Sequence, residues 1–139
     1  MSIPKIVAVA TATPAHRFDQ ATILRMAGYP DAQRAGFFAN SQIEGRYLYF
    51  DPATFKPDET PQESVDDLND RFRRGALGLS AGAARGAVAK AGWKPEDVDF
   101  IATTTCTGRL CPSLDAHLVS LLGFRPDVQR AHVGDTGCA

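Results

Sequence analysis

Two apolar, β-branched runs with a leucine-rich helix between them constrain this chain more than any other feature. Residues 98–105 and 128–133 each read as a buried strand, and the first closes in Thr103-Thr104-Thr105, whose branched side chains suit extended backbone. Between them, Pro112 stands where a helix can start. Leu114, Leu118, Leu121 and Leu122 give that helix an apolar face, and Gly123 ends it. Strands alternating with helices imply parallel pairing through right-handed crossovers, and in such sheets reactive groups collect where the strands end. Cys106 follows the first strand and Cys138 the second, so the two would look into one common region.

The preceding residues add to the same α/β pattern. Residues 3–10 form a third β-branched run, suited to a strand buried on both faces, and Thr11-Ala12-Thr13-Pro14 ends it. Pro14 disfavours helix at Thr13. Asp19 is placed to cap a short helix from Gln20 through Ile23, Leu24 and Met26, which Gly28 and Pro30 stop. A second helix is expected over residues 31–40, followed by an extended segment over 43–50 with two tyrosines on one face. Three prolines, two threonines and several acids make residues 51–63 a surface loop.

The clearest helical period follows. Val65, Leu68, Phe72, Ala76 and Leu79 keep a spacing of three or four, with Ser64 or Thr60 as a cap. The continuation over residues 81–91 is nearly all glycine and alanine, which lets another element approach closely, as a helix inside a layered α/β protein requires. A plain alanine-rich surface helix is the alternative. That the stretch carries only Arg85 and Lys90 as charges favours burial. Gly92-Trp93-Lys94-Pro95-Glu96-Asp97 then reads as a turn.

Composition decides between broad classes. With 139 residues, 44% hydrophobic and 22% charged, the chain has material for one sizeable core and reads as one globular unit. Fifteen basic residues against sixteen acidic ones give a net charge of -1, which argues against nucleic-acid or membrane-surface binding by bulk electrostatics. Three cysteines, an odd count with no secretory leader ahead of them, fit a reducing compartment, so a cytoplasmic location is expected. No apolar run approaches the roughly 20 residues of a membrane helix.

The segment Val133-Gly134-Asp135-Thr136-Gly137-Cys138-Ala139 carries the chemistry. An apolar run ends, two glycines let the backbone turn, and a cysteine follows where a helix could begin. Unpaired N–H groups and the positive end of the helix dipole favour a thiolate at such a point, so backbone position supplies the acidity. A thiolate is strongly nucleophilic at neutral pH and a good leaving group, so it can take up and release an acyl chain. A buried structural cysteine is the alternative. Metal binding is not expected, because Cys106 and Cys111 have no second pair or histidine at zinc-like spacing. His117, beside Leu118 and Leu121, reads as a half-buried or interface histidine, and Asp115 and Arg109 as either surface or pocket residues.

Several segments in this order resemble one family. They are AVATATPAH at residues 8–16, Thr104-Thr105-Cys106-Thr107-Gly108 with Pro112-Ser113-Leu114-Asp115 after it, Leu122-Gly123-Phe124-Arg125-Pro126, and the closing Gly137-Cys138-Ala139. Together they are similar to the type III polyketide synthases, the chalcone-synthase-like branch of the thiolase superfamily. The resemblance implies a layered α-β-α thiolase fold in a homodimer, with residues 1–139 as its N-terminal half and the C-terminal half absent. It puts Cys138 on the family's nucleophile, which accepts an acyl group from an acyl-coenzyme A starter before decarboxylative extension with malonyl-coenzyme A and cyclisation or release. Cys106 and Thr107 fall on the wall of the initiation pocket, with plain core packing as the alternative for Cys106. Cys111 falls on the residue that crosses the dimer interface into the partner's cavity, with ordinary packing as its alternative.

The resemblance also implies what must come from elsewhere. The family's catalytic histidine and asparagine belong to the C-terminal half, and His16, His117 and His132 do not match that histidine. No cofactor is implied beyond the acyl-coenzyme A and malonyl-coenzyme A substrates. For the coenzyme's phosphates, the region ahead of and within the Ser41–Tyr49 match supplies Arg34 and Arg46, with Asn40 where a lysine is common; no coenzyme contact is assigned. Two further readings stay open: a ketoacyl synthase III or hydroxymethylglutaryl-synthase relative with the same nucleophile, and an inactive half-fold that pairs with a partner.

Overall fold

The computed structural model describes residues 3–26, 28, 31–49 and 64–134. The expected loop at 51–63 and the expected nucleophile Cys138 lie outside the described residues. The chain divides into two compact units, Thr13–Ser64 and Met1–Ala12 with Val65–Ala139.

The smaller unit is built on local signals. Strand β1, Arg17–Asp19, runs into helix α1, Gln20–Met26, and the Asp19 side chain caps the turn by accepting from the Thr22 N–H at 2.7 Å. Asp31 caps helix α2, Ala32–Ala39, in the same way, accepting from the Arg34 N–H at 2.8 Å. Both helices stand where the sequence puts them. The Gln20 amide donates to the Ser41 hydroxyl at 2.7 Å and so ties the start of α1 to the end of α2. Strand β2, Gly45–Tyr47, lies within the expected extended segment and pairs antiparallel with β1. Gly45 is required there, since a Cβ would fall 2.8 Å from both the Arg17 guanidinium carbon and the Phe18 carbonyl oxygen.

The larger unit carries the β-α-β element. Helix α3 runs Val65–Ala91 without interruption, so the periodic and the small-residue stretches are one helix. Gly92 ends it in the left-handed region (φ 72°), with the Trp93 N–H returning to the Val88 carbonyl at 3.1 Å. A 3-10 turn over Pro95–Asp97 leads to strand β3, Phe100–Thr105. Helix α4, Leu114–Leu122, follows and is closed by Gly123 at φ 69°, and strand β4, Gln129–Gly134, lies parallel to β3. Helix α4 packs on α3 to one side and on both strands to the other, the layering expected of an α/β crossover. Its Leu114, Leu118 and Leu122 form the core with Ala81, Phe124 and Val128, and Leu118 is only 3% exposed.

One expected strand is not formed. Residues 3–10 make no ladder, and Ile3 and Ile6 are 80% and 88% exposed. A strand exists only where a neighbour takes up its backbone hydrogen bonds, and here the run is held by α3. The Lys90 ammonium donates to the Val9 carbonyl at 3.1 Å, while Ala10 and Ala12 lie over Gly86 and Gly82. The small-residue face of α3 is used for close approach as expected, but by this segment. Among the described residues no helix is long and apolar enough to cross a membrane.

Candidate functional site

Parallel pairing fixes where the strands end. Thr103 stands opposite His132, Thr104 opposite Val133 and Thr105 opposite Gly134, so the end of β3 lies beside the last described residue of β4. Cys106 is the first residue past β3 and is exposed. The described part of β4 ends at Gly134, four positions before Cys138 in sequence. The two strands ahead of the cysteines in sequence are neighbours, as expected, and Cys138 itself lies outside the described residues.

Residues 106–113 join β3 to α4 at that edge. The Thr107 N–H donates to the Thr105 hydroxyl at 3.3 Å, which turns the chain directly after Cys106. The Phe72 ring of α3 packs on the backbone at Gly108, where an added Cβ would meet the ring at 2.5 Å. Leu110 packs against the core cluster. Cys111, like Cys106, is exposed, so two of the three expected pocket or interface residues are exposed cysteines on one connecting segment, with Thr107 between them.

A polar group beneath this edge is the feature that sequence reading missed. Asp115, open to either a surface or a pocket reading from sequence, is buried at 3% exposure in the first turn of α4. Its Oδ2 accepts from Arg130 Nη1 at 3.2 Å, and its Oδ1 lies 4.0 Å from His132 Nδ1. The Thr103 hydroxyl is 2.8 Å from that same His132 nitrogen. Arg130 and His132 are two apart on β4 and therefore share the face turned to α4. Burial pushes the Asp115 carboxyl up. Hydrogen bonds from the Ser113 side chain and its own backbone N–H, with the Arg130 guanidinium, outweigh that and hold it below the ordinary carboxylate value.

Chemistry sorts these groups by role. A threonine, a histidine and an aspartate in proximity suggest a relay, but a relay needs the two imidazole nitrogens to serve different partners. Here Thr103 and Asp115 both face Nδ1, so the group is an anchor for the strand and not a nucleophile with its base. A signal for Asp115 did exist in the sequence: it lies three before Leu118 and seven before Leu122, on the stripe that those leucines bury. In the smaller unit, Arg34 is ion-paired with Asp31 at 3.3 Å and Arg46 lies on β2 opposite Phe18.

Known proteins share both sequence and fold with this chain. No family model matches it. It is 30% identical over 135 residues to the 3,5-dihydroxyphenylacetyl-CoA synthase of Streptomyces toyocaensis, a match covering 97% of this chain and 34% of that protein. To the 1,3,6,8-tetrahydroxynaphthalene synthase of Streptomyces peucetius subsp. caesius it is 31% identical over 146 residues, covering 96% of this chain and 36% of that protein. The crystal structure of the fungal type III polyketide synthase ORAS superposes with a TM-score of 0.77 at 21% identity, over 96% of this chain and 37% of that one. The chain thus spans between 34% and 36% of the length of these two curated relatives. On that sequence likeness and that shared architecture, the chain is similar to about a third of each of these synthases and carries the α/β fold of the corresponding part of a type III polyketide synthase.

Proposed function

We propose that the whole protein is a type III polyketide synthase that loads an acyl-coenzyme A starter on Cys138, extends it with malonyl-coenzyme A and cyclises or releases the product. The observation that carries this reading is the pairing of Thr105 with Gly134, because it sets the residue ahead of Cys106 beside one four positions ahead of Cys138 in sequence. The names of the two Streptomyces relatives describe polyhydroxylated aromatic products, and the same product class is proposed here. Active enzyme is taken to be a homodimer in the cytoplasm, completed by a histidine and an asparagine from a further part of the protein.

The steps follow from thioester chemistry. Attack of the Cys138 thiolate on the acyl carbonyl forms the enzyme thioester and expels coenzyme A thiolate, which takes up a proton. Malonyl-coenzyme A then loses carbon dioxide, and the electron pair left behind is held as the enolate of acetyl-coenzyme A. Donors placed where that enolate charge develops lower the barrier. Attack of the enolate carbon on the enzyme thioester makes the new carbon–carbon bond and breaks the bond to sulfur, so the thiolate returns and the lengthened chain leaves on coenzyme A. Cys106 and Thr107 wall the space around the starter, and Cys111 reaches toward the partner subunit.

Full-length protein incubated with acyl-coenzyme A should show one acyl adduct on Cys138 by peptide mass spectrometry, and release carbon dioxide once malonyl-coenzyme A is added. Cys138→Ala should remove the adduct and the lengthened product. Loading that survives in Cys138→Ala would overturn the assignment. A requirement for acyl-carrier-protein in place of malonyl-coenzyme A would move the protein to the ketoacyl synthase III reading.

A further inference from the structure

A buried carboxylate is a poor way to stabilise a protein. Removing a charge from water is costly, and apolar residues of similar volume often serve stability as well or better, so a buried ion pair points to selection of one geometry. Asp115 is 3% exposed, and its Oδ1 has no hydrogen-bond partner among the described residues. It also stands at the meeting of three elements: α4, which carries it; β4, through Arg130 at 3.2 Å and His132 at 4.0 Å; and β3, through Thr103 at 2.8 Å from the same His132 nitrogen.

What these elements lead to gives the cluster its meaning. The residues just ahead of α4 are the connecting segment with Cys106, Thr107 and Cys111, and Ser113 at its end is the N-cap of α4, two residues before Asp115. Beyond His132, β4 runs on to Gly134 and toward Cys138. We propose that Asp115 is a positioning residue: the carboxylate on which the pocket segment and the nucleophile-bearing strand are seated in one register, so that the shape of the starter pocket depends on a group that touches no substrate. The inference rests on the reading of Cys138 and Cys106 given above. Arg130 sets the height of β4 on α4 by a charged pair, and Thr103 with His132 locks the two strands side by side at the last rungs before the edge.

The test uses the full-length protein and two variants, Asp115→Asn, which keeps the shape and removes the charge, and Asp115→Leu/Arg130→Met, which replaces the pair with apolar groups. Rates are normalised to the fraction of protein that can be loaded, so a loss of folded material does not count. The expected result is a change of about fivefold or more in the kcat/KM ratio between a short and a long acyl-coenzyme A starter in either variant, with rescue toward wild type in Asp115→Glu. A role limited to stability lowers the loadable fraction and leaves that ratio alone. Wild-type selectivity in a folded variant overturns the proposal, and so does failure of both variants to fold. Iodoacetamide labelling of Cys138 relative to Cys111 separates the two levels of inference. If wild-type enzyme loads no acyl group but the labelling ratio still shifts in the variants, the functional reading fails and the positioning role stands; an unshifted ratio beside intact loading does the reverse.

Discussion

Thr105, the last residue of β3, pairs in parallel register with Gly134, the last residue of β4. The site proposed above starts from that rung, which sets the residue ahead of Cys106 beside one four positions ahead of Cys138 in sequence. It also gives the two cysteines unequal roles. Cys138→Ala should abolish acyl loading, whereas Cys106→Ala should still load but with an altered preference among starters, because it changes a wall and leaves the nucleophile. Intact-protein mass spectrometry with competing acyl-coenzyme A starters reads both, and identical behaviour of the two variants would count against the division of roles.

The pocket segment is held from below by an aromatic ring. Phe72 leaves no room for a side chain at Gly108, where a Cβ would come within 2.5 Å of the ring. Gly108→Ala should therefore destabilise the protein by about 1–3 kcal/mol, the usual cost of overpacking. Phe72→Leu in the Gly108→Ala background should recover part of the loss by making space. A double-mutant cycle by urea unfolding checks this, and simple additivity of the two changes would mean that ring and segment are not coupled.

Two glycines of α3 make a sharper comparison. A Cβ at Gly82 would lie 3.6 Å from the Ala12 methyl, an ordinary contact, while one at Gly86 would lie 3.1 Å from that of Ala10. Alanine in place of a mid-helix glycine gains about 1 kcal/mol of helix propensity. Gly82→Ala should keep that gain and raise the melting temperature. At Gly86 the crowding against Ala10 offsets it, so Gly86→Ala should be neutral or destabilising. Equal stabilisation by both would show that residues 9–12 yield freely, in disagreement with the Lys90 to Val9 tether.

How much was legible in the sequence depended on how far apart the interacting residues lie. A cap and a stop were readable at Asp19 and Gly123 because a side chain or a glycine acts on its own turn. The parallel β3–α4–β4 unit was readable because its leucine stripe and β-branched runs permit few alternatives. Residues 3–10 have strand chemistry and no strand, since pairing is a property of the neighbour and α3 supplies none. The β1–β2 pair escaped notice because its rungs join residues such as Arg17 and Tyr47, with two helices between them in the chain. Asp115 was half visible: its place on the buried stripe was there to see, but its partner Arg130 is fifteen residues away on another element. Cys138 was assigned from motif context and lies outside the described residues.

The Asp115 carboxyl makes a further claim about acid. Burial raises its proton affinity, yet the Ser113 and backbone hydrogen bonds and Arg130 together lower its pKa below the ordinary value near 3.8. A carboxylate whose folded-state pKa is depressed stabilises the fold fully above the unfolded value and loses that contribution as pH falls through the folded one. The stability difference between wild type and Asp115→Asn should therefore be constant from neutral pH down to about pH 5 and shrink below about pH 4, where the unfolded carboxyl takes up its proton first. Chemical denaturation at a series of pH values measures it directly. A difference that instead grows as the solution is acidified would mean that burial wins over the hydrogen bonds and the guanidinium, and that the carboxyl is held neutral beneath the site edge.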